Sequence, residues 1–289
     1  MLTALFVAGR IVASPATNVF QKRLTNQHIH PLFIVCATQV GLTLVAAPLL
    51  LLFFPMSFKT MDASLGLIVL AMGVCEALGN VLLVKSLQGL DISVFGPLNS
   101  FKPAMGMVLG MVVLAEMPSL LGALGLVIII MGSVLLRTPS STPMTRAMAL
   151  PVVFRFLAML FAALGAVLSK QVILAANAVT ALFFWIVLQL PVLGFACVLK
   201  GRSFVQTNTP KLAKHLFSLT GVILSILLMQ ALTLLTFRHV FVGYALALFQ
   251  LSTLLCVLIG GRLFSEPYIG RRLLGAIVML LGAVLVIQT

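Results

Sequence analysis

The chain has 289 residues, 62% hydrophobic and 8% charged, with 18 Lys and Arg against five Asp and Glu and a net charge of +13. A soluble domain carries charge on about a quarter of its residues, so this composition excludes a water-soluble globular fold. The cations stand singly or in pairs between apolar runs, which excludes a nucleic-acid stripe and reads as loop charge facing anionic lipid.

A membrane-spanning helix needs roughly 20 mostly apolar residues, and about ten stretches reach that length. In chain order the predicted spans are 3–22, 31–54, 64–86, 91–113, 118–136, 148–170, 177–199, 213–236, 241–264 and 268–287. Their apolar runs are continuous, with no period of two, so helices are expected and a barrel is not. Arg10 falls inside the first run and no basic region precedes it, so a cleaved signal peptide is a poor reading. Cys36, Cys75, Cys197 and Cys256 lie inside spans without metal-ligand spacing, and read as small packing residues. His28, His30, His215 and His239 fall at span ends or in loops, where solvation at the interface is the expected role.

The chain repeats itself at an offset of 150 positions: Gly110, Glu116, Leu124, Gly125, Gly132, Val134 and Leu135 recur as Gly260, Glu266, Leu274, Gly275, Gly282, Val284 and Leu285. Lys22 and Lys170 correspond at an offset of 148. The segment RTPSSTPMTR, Arg137–Arg146, carries two prolines and several hydroxyls and reads as the joint. The predicted organisation is a first five-helix repeat at 1–137, a linker at 138–147 and a second repeat at 148–289. Five spans per copy make the second enter the bilayer from the opposite face. The fold class expected is therefore all-α integral membrane, about ten transmembrane helices as two inverted five-helix repeats.

Two stretches carry a resemblance: DISVFGPLNSFKPAMGMVLGMVVLAEMPSLLGALGLVIIIMGSVLL in the first half and VGYALALFQLSTLLCVLIGGRLFSEPYIGRRLLGAIVMLLGAVLVI in the second. Each has a long helix, a Glu in a tight turn, a glycine-bearing helix and a small-residue end. This is similar to the EamA-type repeat of the drug/metabolite transporter superfamily, whose members move amino acids, sugars, nucleotide-sugars and other metabolites. The resemblance implies a transporter without naming its cargo.

Glu116 and Glu266 each precede a proline-containing helix start, so they are expected to face the free amides and dipole of the next helix. Glycines 125 and 132, and 275 and 282, are seven apart and mark one flank of a helix, where backbones approach closely within or between protomers.

Charge at membrane depth costs roughly 2.5 to 3.5 kcal/mol per Arg, Lys or Asp on insertion scales, so such residues are paired or line a wet cavity. Arg10, Glu76, Lys102 and Arg155 are the four candidates. Arg155 lies nearer a span end, where snorkelling is open to it. One reading is a buried Glu76–Lys102 or Glu76–Arg10 pair fastening helices; the other is a polar cavity with a cation left for substrate. Gln39 and Gln189 correspond at the 150 offset, as do Asn80 and Gln230, while Asn99 and Gln250 differ from it by one position. Glu76 and Asn80, and Trp185 and Gln189, are four apart and share a helix face. Trp185, the only Trp, reads as interior packing or as a stacking or gating ring. The substrate-binding set expected is Arg10, Gln39, Glu76, Asn80, Lys102, Trp185, Gln189 and Gln250, with no catalytic or metal residues and no cofactor.

The function expected is a secondary transporter for a small anionic or zwitterionic, amino-acid-like metabolite, working by alternating access across the plasma membrane of a bacterium, export rather than uptake. The partners are that small molecule and membrane lipid, without nucleic acid, and the chain is read as a monomer or homodimer. Coupling to a proton or to a counter-substrate is left open. A membrane-embedded enzyme acting on a lipid-linked substrate is the alternative; it lacks the clustered acids that metal-assisted phosphoryl chemistry uses. No charge ring supports a channel and no phosphate-binding loop supports ATP drive. The positive-inside rule sets odd-numbered loops, which hold most Lys and Arg, in the cytoplasm and both termini outside.

Overall fold

The computed structural model describes residues 2–56, 62–87, 101–135, 149–252, 255 and 269–288. Asn99, Glu266 and the 138–147 linker lie outside them. Among the described residues there is no strand, and eleven helices carry the chain: α1 (Leu2–Asn26), α2 (Pro31–Phe53), α3 (Ala63–Leu87), α4 (Lys102–Leu114), α5 (Leu120–Leu135), α6 (Ala149–Ala175), α7 (Ala178–Val198), α8 (Arg202–Ala213), α9 (Leu216–Phe237), α10 (Val242–Phe249) and α11 (Ile269–Ile287). Six of them, α1, α2, α3, α6, α7 and α9, are long and apolar enough to cross a membrane. Large apolar side chains such as Leu44, Leu52, Val112 and Leu120 point outward, as a lipid-solvated surface requires.

Helix starts are set by local chemistry. The imidazole of His30 accepts the Leu32 N–H at 3.1 Å, with Pro31 in the first helical position of α2, where its missing N–H costs nothing. Asp62 accepts the Leu65 N–H at 2.8 Å before α3, and Asn177 accepts the Thr180 N–H at 2.7 Å before α7, each satisfying an orphan first-turn amide. At the other end, α4 stops because Ala115 is left-handed, with φ 53°. That conformation is unfavourable for a residue with a Cβ, and it turns the chain so that Glu116 is buried.

The helices pack as α3 on α6, α1 on α9, α5 on α11, α2 on α7 and α4 on α10. The main apolar core is drawn from α2, α3, α6, α7, α9 and α10, with Met72, Val167, Ile186 and Ala245 fully enclosed. A second core joins α5, α10 and α11 around Ile129, Ala247 and Met279. The α5–α11 contact is made of backbone: a Cβ on Gly125 would stand 2.7 Å from the Gly282 carbonyl oxygen, and one on Gly132 would stand 2.8 Å from that of Gly275. The paired glycines thus pack within the chain.

Two features depart from the expectations. The segment after α7 forms a polar helix, α8, docked by Asn208, whose Oδ1 accepts the His30 backbone N–H at 2.9 Å, and by Phe204 edge-on to His30 and Phe33. Its sequence has too little apolar surface to register as a span. Cys36 on α2 and Cys197 on α7 are also more than packing residues: they form a disulfide joining positions 161 apart in sequence.

Candidate functional site

Lys102 opens α4 and sits in the electrostatic field of Glu76 from α3, Arg10 from α1 and Arg155 from α6. Among the described residues, four helices therefore bring three cations and one carboxylate to one region at membrane depth. Glu76 and Lys102 interact through space; the contact ion pair among the described residues lies elsewhere. Room for the Glu76 carboxylate comes from Gly165 on α6, where an added Cβ would stand 2.7 Å from its Oε1.

Arg10 donates from Nε to Thr233 Oγ1 at 2.8 Å and lays its guanidinium over the Phe249 ring, 4.8 Å from the centroid. Its Nη1 is buried without a hydrogen-bond partner. The indole Nε1 of Trp185 is likewise buried without a well-formed bond, with Glu76 within its reach. Arg155 is 4% exposed; it is buried inside the helix packing and does not snorkel.

The amides are differently employed. Asn80 Nδ2 donates to Gln189 Oε1 at 2.9 Å, and Gln189 Nε2 donates to the Trp185 carbonyl at 2.9 Å. Gln39 Nε2 donates to the Ile186 carbonyl. These bonds tie α2 and α3 to α7. Gln250 is buried at the C-cap of α10, beside the Phe249 that carries Arg10. Of the eight expected residues, then, Arg10, Glu76, Lys102 and Trp185 share one charged region, while Asn80, Gln189 and Gln39 fasten its walls.

The sequence reading missed a second polar centre. Lys170 Nζ donates to Glu116 Oε1 at 2.5 Å and to the Val240 carbonyl at 2.8 Å. Glu116 Oε2 accepts the Val242 N–H at 2.9 Å. Glu116 therefore caps α10, not the helix that follows it; it comes directly after the left-handed Ala115. The signal was present: both partners recur in the repeat, Glu116 as Glu266 and Lys170 as Lys22.

Comparison with known proteins fits this architecture. Residues 1–138 match the EamA-like transporter family. Over those residues the chain is similar to that family, which belongs to the drug/metabolite transporter superfamily. Members of this family are membrane transporters, and the apolar helices make this chain a multi-pass membrane protein. A crystal structure of a protein 10% identical is similar over 98% of this chain and 95% of its own, with a TM-score of 0.76; at that identity the likeness shows the fold alone. No curated protein matches the chain.

Proposed function

We propose that this EamA-like protein is a secondary transporter that moves a small anionic or zwitterionic, amino-acid-like metabolite across the plasma membrane of a bacterium by alternating access, in the direction of export. One observation carries the reading: among the described residues, Lys102 shares its region with Arg10, Arg155 and one carboxylate, Glu76. An excess of cations inside a bilayer is costly unless water or an anion reaches it. A substrate carboxylate supplies that anion, and Glu76 suits an ammonium group.

The packing supports two inverted five-helix repeats. If the first to fifth spans correspond to the sixth to tenth, exchanging the halves turns the α3–α6 contact into the α9–α1 contact. It returns α5–α11, α2–α7 and α4–α10 to themselves. The same exchange turns the Gly125–Gly282 contact into Gly132–Gly275. A pseudo-twofold axis in the membrane plane accounts for all of these, and such axes underlie rocking transporters. Lys200, Arg202, Lys211 and Lys214 cluster around α8, on the end of α7 that positive-inside bias assigns to the cytoplasm.

The test is a thermal-shift screen of the purified protein against metabolites, followed by flux of the hits in proteoliposomes. Saturable flux of an amino-acid-like anion or zwitterion supports the proposal. Stabilisation and flux confined to cationic or neutral solutes would reject it. A C-terminal reporter active only in the cytoplasm would reverse the orientation.

A further inference from the structure

A chamber of about 520 Å³ opens between α1, α10, the end of α11 and the turn after α9. Its wall is mostly apolar, formed by Val7 and Ile11 of α1, Leu248 of α10 and Val286 of α11, with Thr3, His239 and Tyr244 as polar members. It is separate from the charged region. On α10 Leu248 faces the chamber while Phe249 faces Arg10; on α1 Ile11 faces the chamber while Arg10 faces away.

The chamber exists because small residues stand where large ones would fill it. Ala4 and Ala8, one turn apart on the same face of α1, are both part of the lining. An unfilled void costs free energy in proportion to its volume, and an apolar one does not hold water. In a multi-pass membrane protein the neighbouring phase is hydrocarbon. The volume falls within the range of ligand-sized pockets. The rim adds a polar group: His239 lines the chamber, Arg238 precedes it in the chain, both are exposed, and the turn 238–241 contains no acid.

We propose that this chamber binds one acyl chain of an anionic phospholipid, with the lipid phosphate held at the rim by Arg238 and His239. The hydrocarbon fills the space left by Ala4 and Ala8, and the phosphate accepts charge-assisted hydrogen bonds from the guanidinium and imidazole.

The test uses the full chain in a neutral maltoside detergent, titrated with dioleoyl phosphatidylglycerol or dioleoyl phosphatidylcholine and read by native mass spectrometry. The wild type is expected to retain one phosphatidylglycerol with about tenfold preference over phosphatidylcholine, the scale of a single charge-assisted contact. Ala8→Phe should lower retention of both lipids about tenfold by filling the chamber. The pair Arg238→Gln and His239→Gln, both at exposed positions, should reduce phosphatidylglycerol retention to the phosphatidylcholine level. Unchanged retention in a folded Ala8→Phe protein overturns the site. Equal retention of the two lipids by the wild type, or an undiminished preference in the rim variant, overturns the headgroup assignment even where Ala8→Phe fails to fold.

Discussion

Lys170 and Glu116 form a buried ion pair across the boundary between the two sequence repeats, 2.5 Å apart and each under a tenth exposed. The carboxylate also holds the first amide of α10, and the ammonium holds the Val240 carbonyl just before it. Both charges thus have further hydrogen bonds, the condition under which a buried pair is tolerated.

Removing one partner leaves the other charge stranded. Glu116→Gln is expected to destabilise the protein by about 3 to 5 kcal/mol. The double change with Lys170→Met should recover most of that loss, because no unpaired charge remains. Thermal unfolding in detergent measures both. A single variant as stable as the wild type would show that the pair does not hold α10.

Lys102→Met is expected to lower substrate flux at least about tenfold, the scale of a lost charge-assisted hydrogen bond, with little change in unfolding temperature. Stability is spared because Lys102 makes no contact ion pair with Glu76. If the residue only balanced Glu76, combining Glu76→Gln with Lys102→Met would restore flux. Restored flux in that double variant argues against a substrate contact.

How far the sequence exposes this architecture depends on the kind of interaction. Long apolar runs declare themselves by composition, so the bounds read for 31–54 and 64–86 fall within a residue of α2 and α3. Arg10, Glu76 and Lys102 stood out because charge in lipid is rare. The roles of Gln39, Asn80 and Gln189 were not legible, since an amide at membrane depth serves a cavity or a helix contact equally well. The Cys36–Cys197 bond, spanning 161 positions, depends on how α2 crosses α7, and pairing cannot be read from spacing. Helix α8 has no apolar periodicity to mark it. Glu116 reads as a local cap in the sequence because chain neighbours are the only neighbours a sequence displays.

The disulfide gives a direct chemical expectation. Denatured but unreduced protein should alkylate at Cys75 and leave Cys36 and Cys197 blocked, as peptide mass spectrometry would show. Replacing both cysteines by Ser should lower the unfolding temperature, since closing a loop of this length is worth about 5 kcal/mol in the chain-entropy model. Free thiols at 36 and 197 in that assay would contradict the bond.

Stability should also respond to pH through His30. Burial, with the positive charge of Lys200, holds its imidazole below the ordinary value. Protonation would also occupy the Nδ1 that accepts the Leu32 N–H. The unfolded chain therefore takes up the proton first, near pH 6.5. The His30 contribution is present above about that pH and is lost as pH falls through the lower folded-state pKa. Unfolding temperatures between pH 8 and pH 5 should fall for the wild type and fall less for His30→Asn, which keeps a capping group. Equal slopes would remove His30 as the source.

The glycine seam between α5 and α11 has a mechanical consequence. Side chains can slide, swap rotamers and admit lipid between helices; two backbones in touch cannot. Gly125 against Gly282 and Gly132 against Gly275 leave no soft layer between these helices. Under the alternating access proposed above, the motion that carries a solute past the middle of the bilayer would take place relative to this seam. The helices that line the charged region would then be the moving arms, and α5 with α11 the keel they turn against.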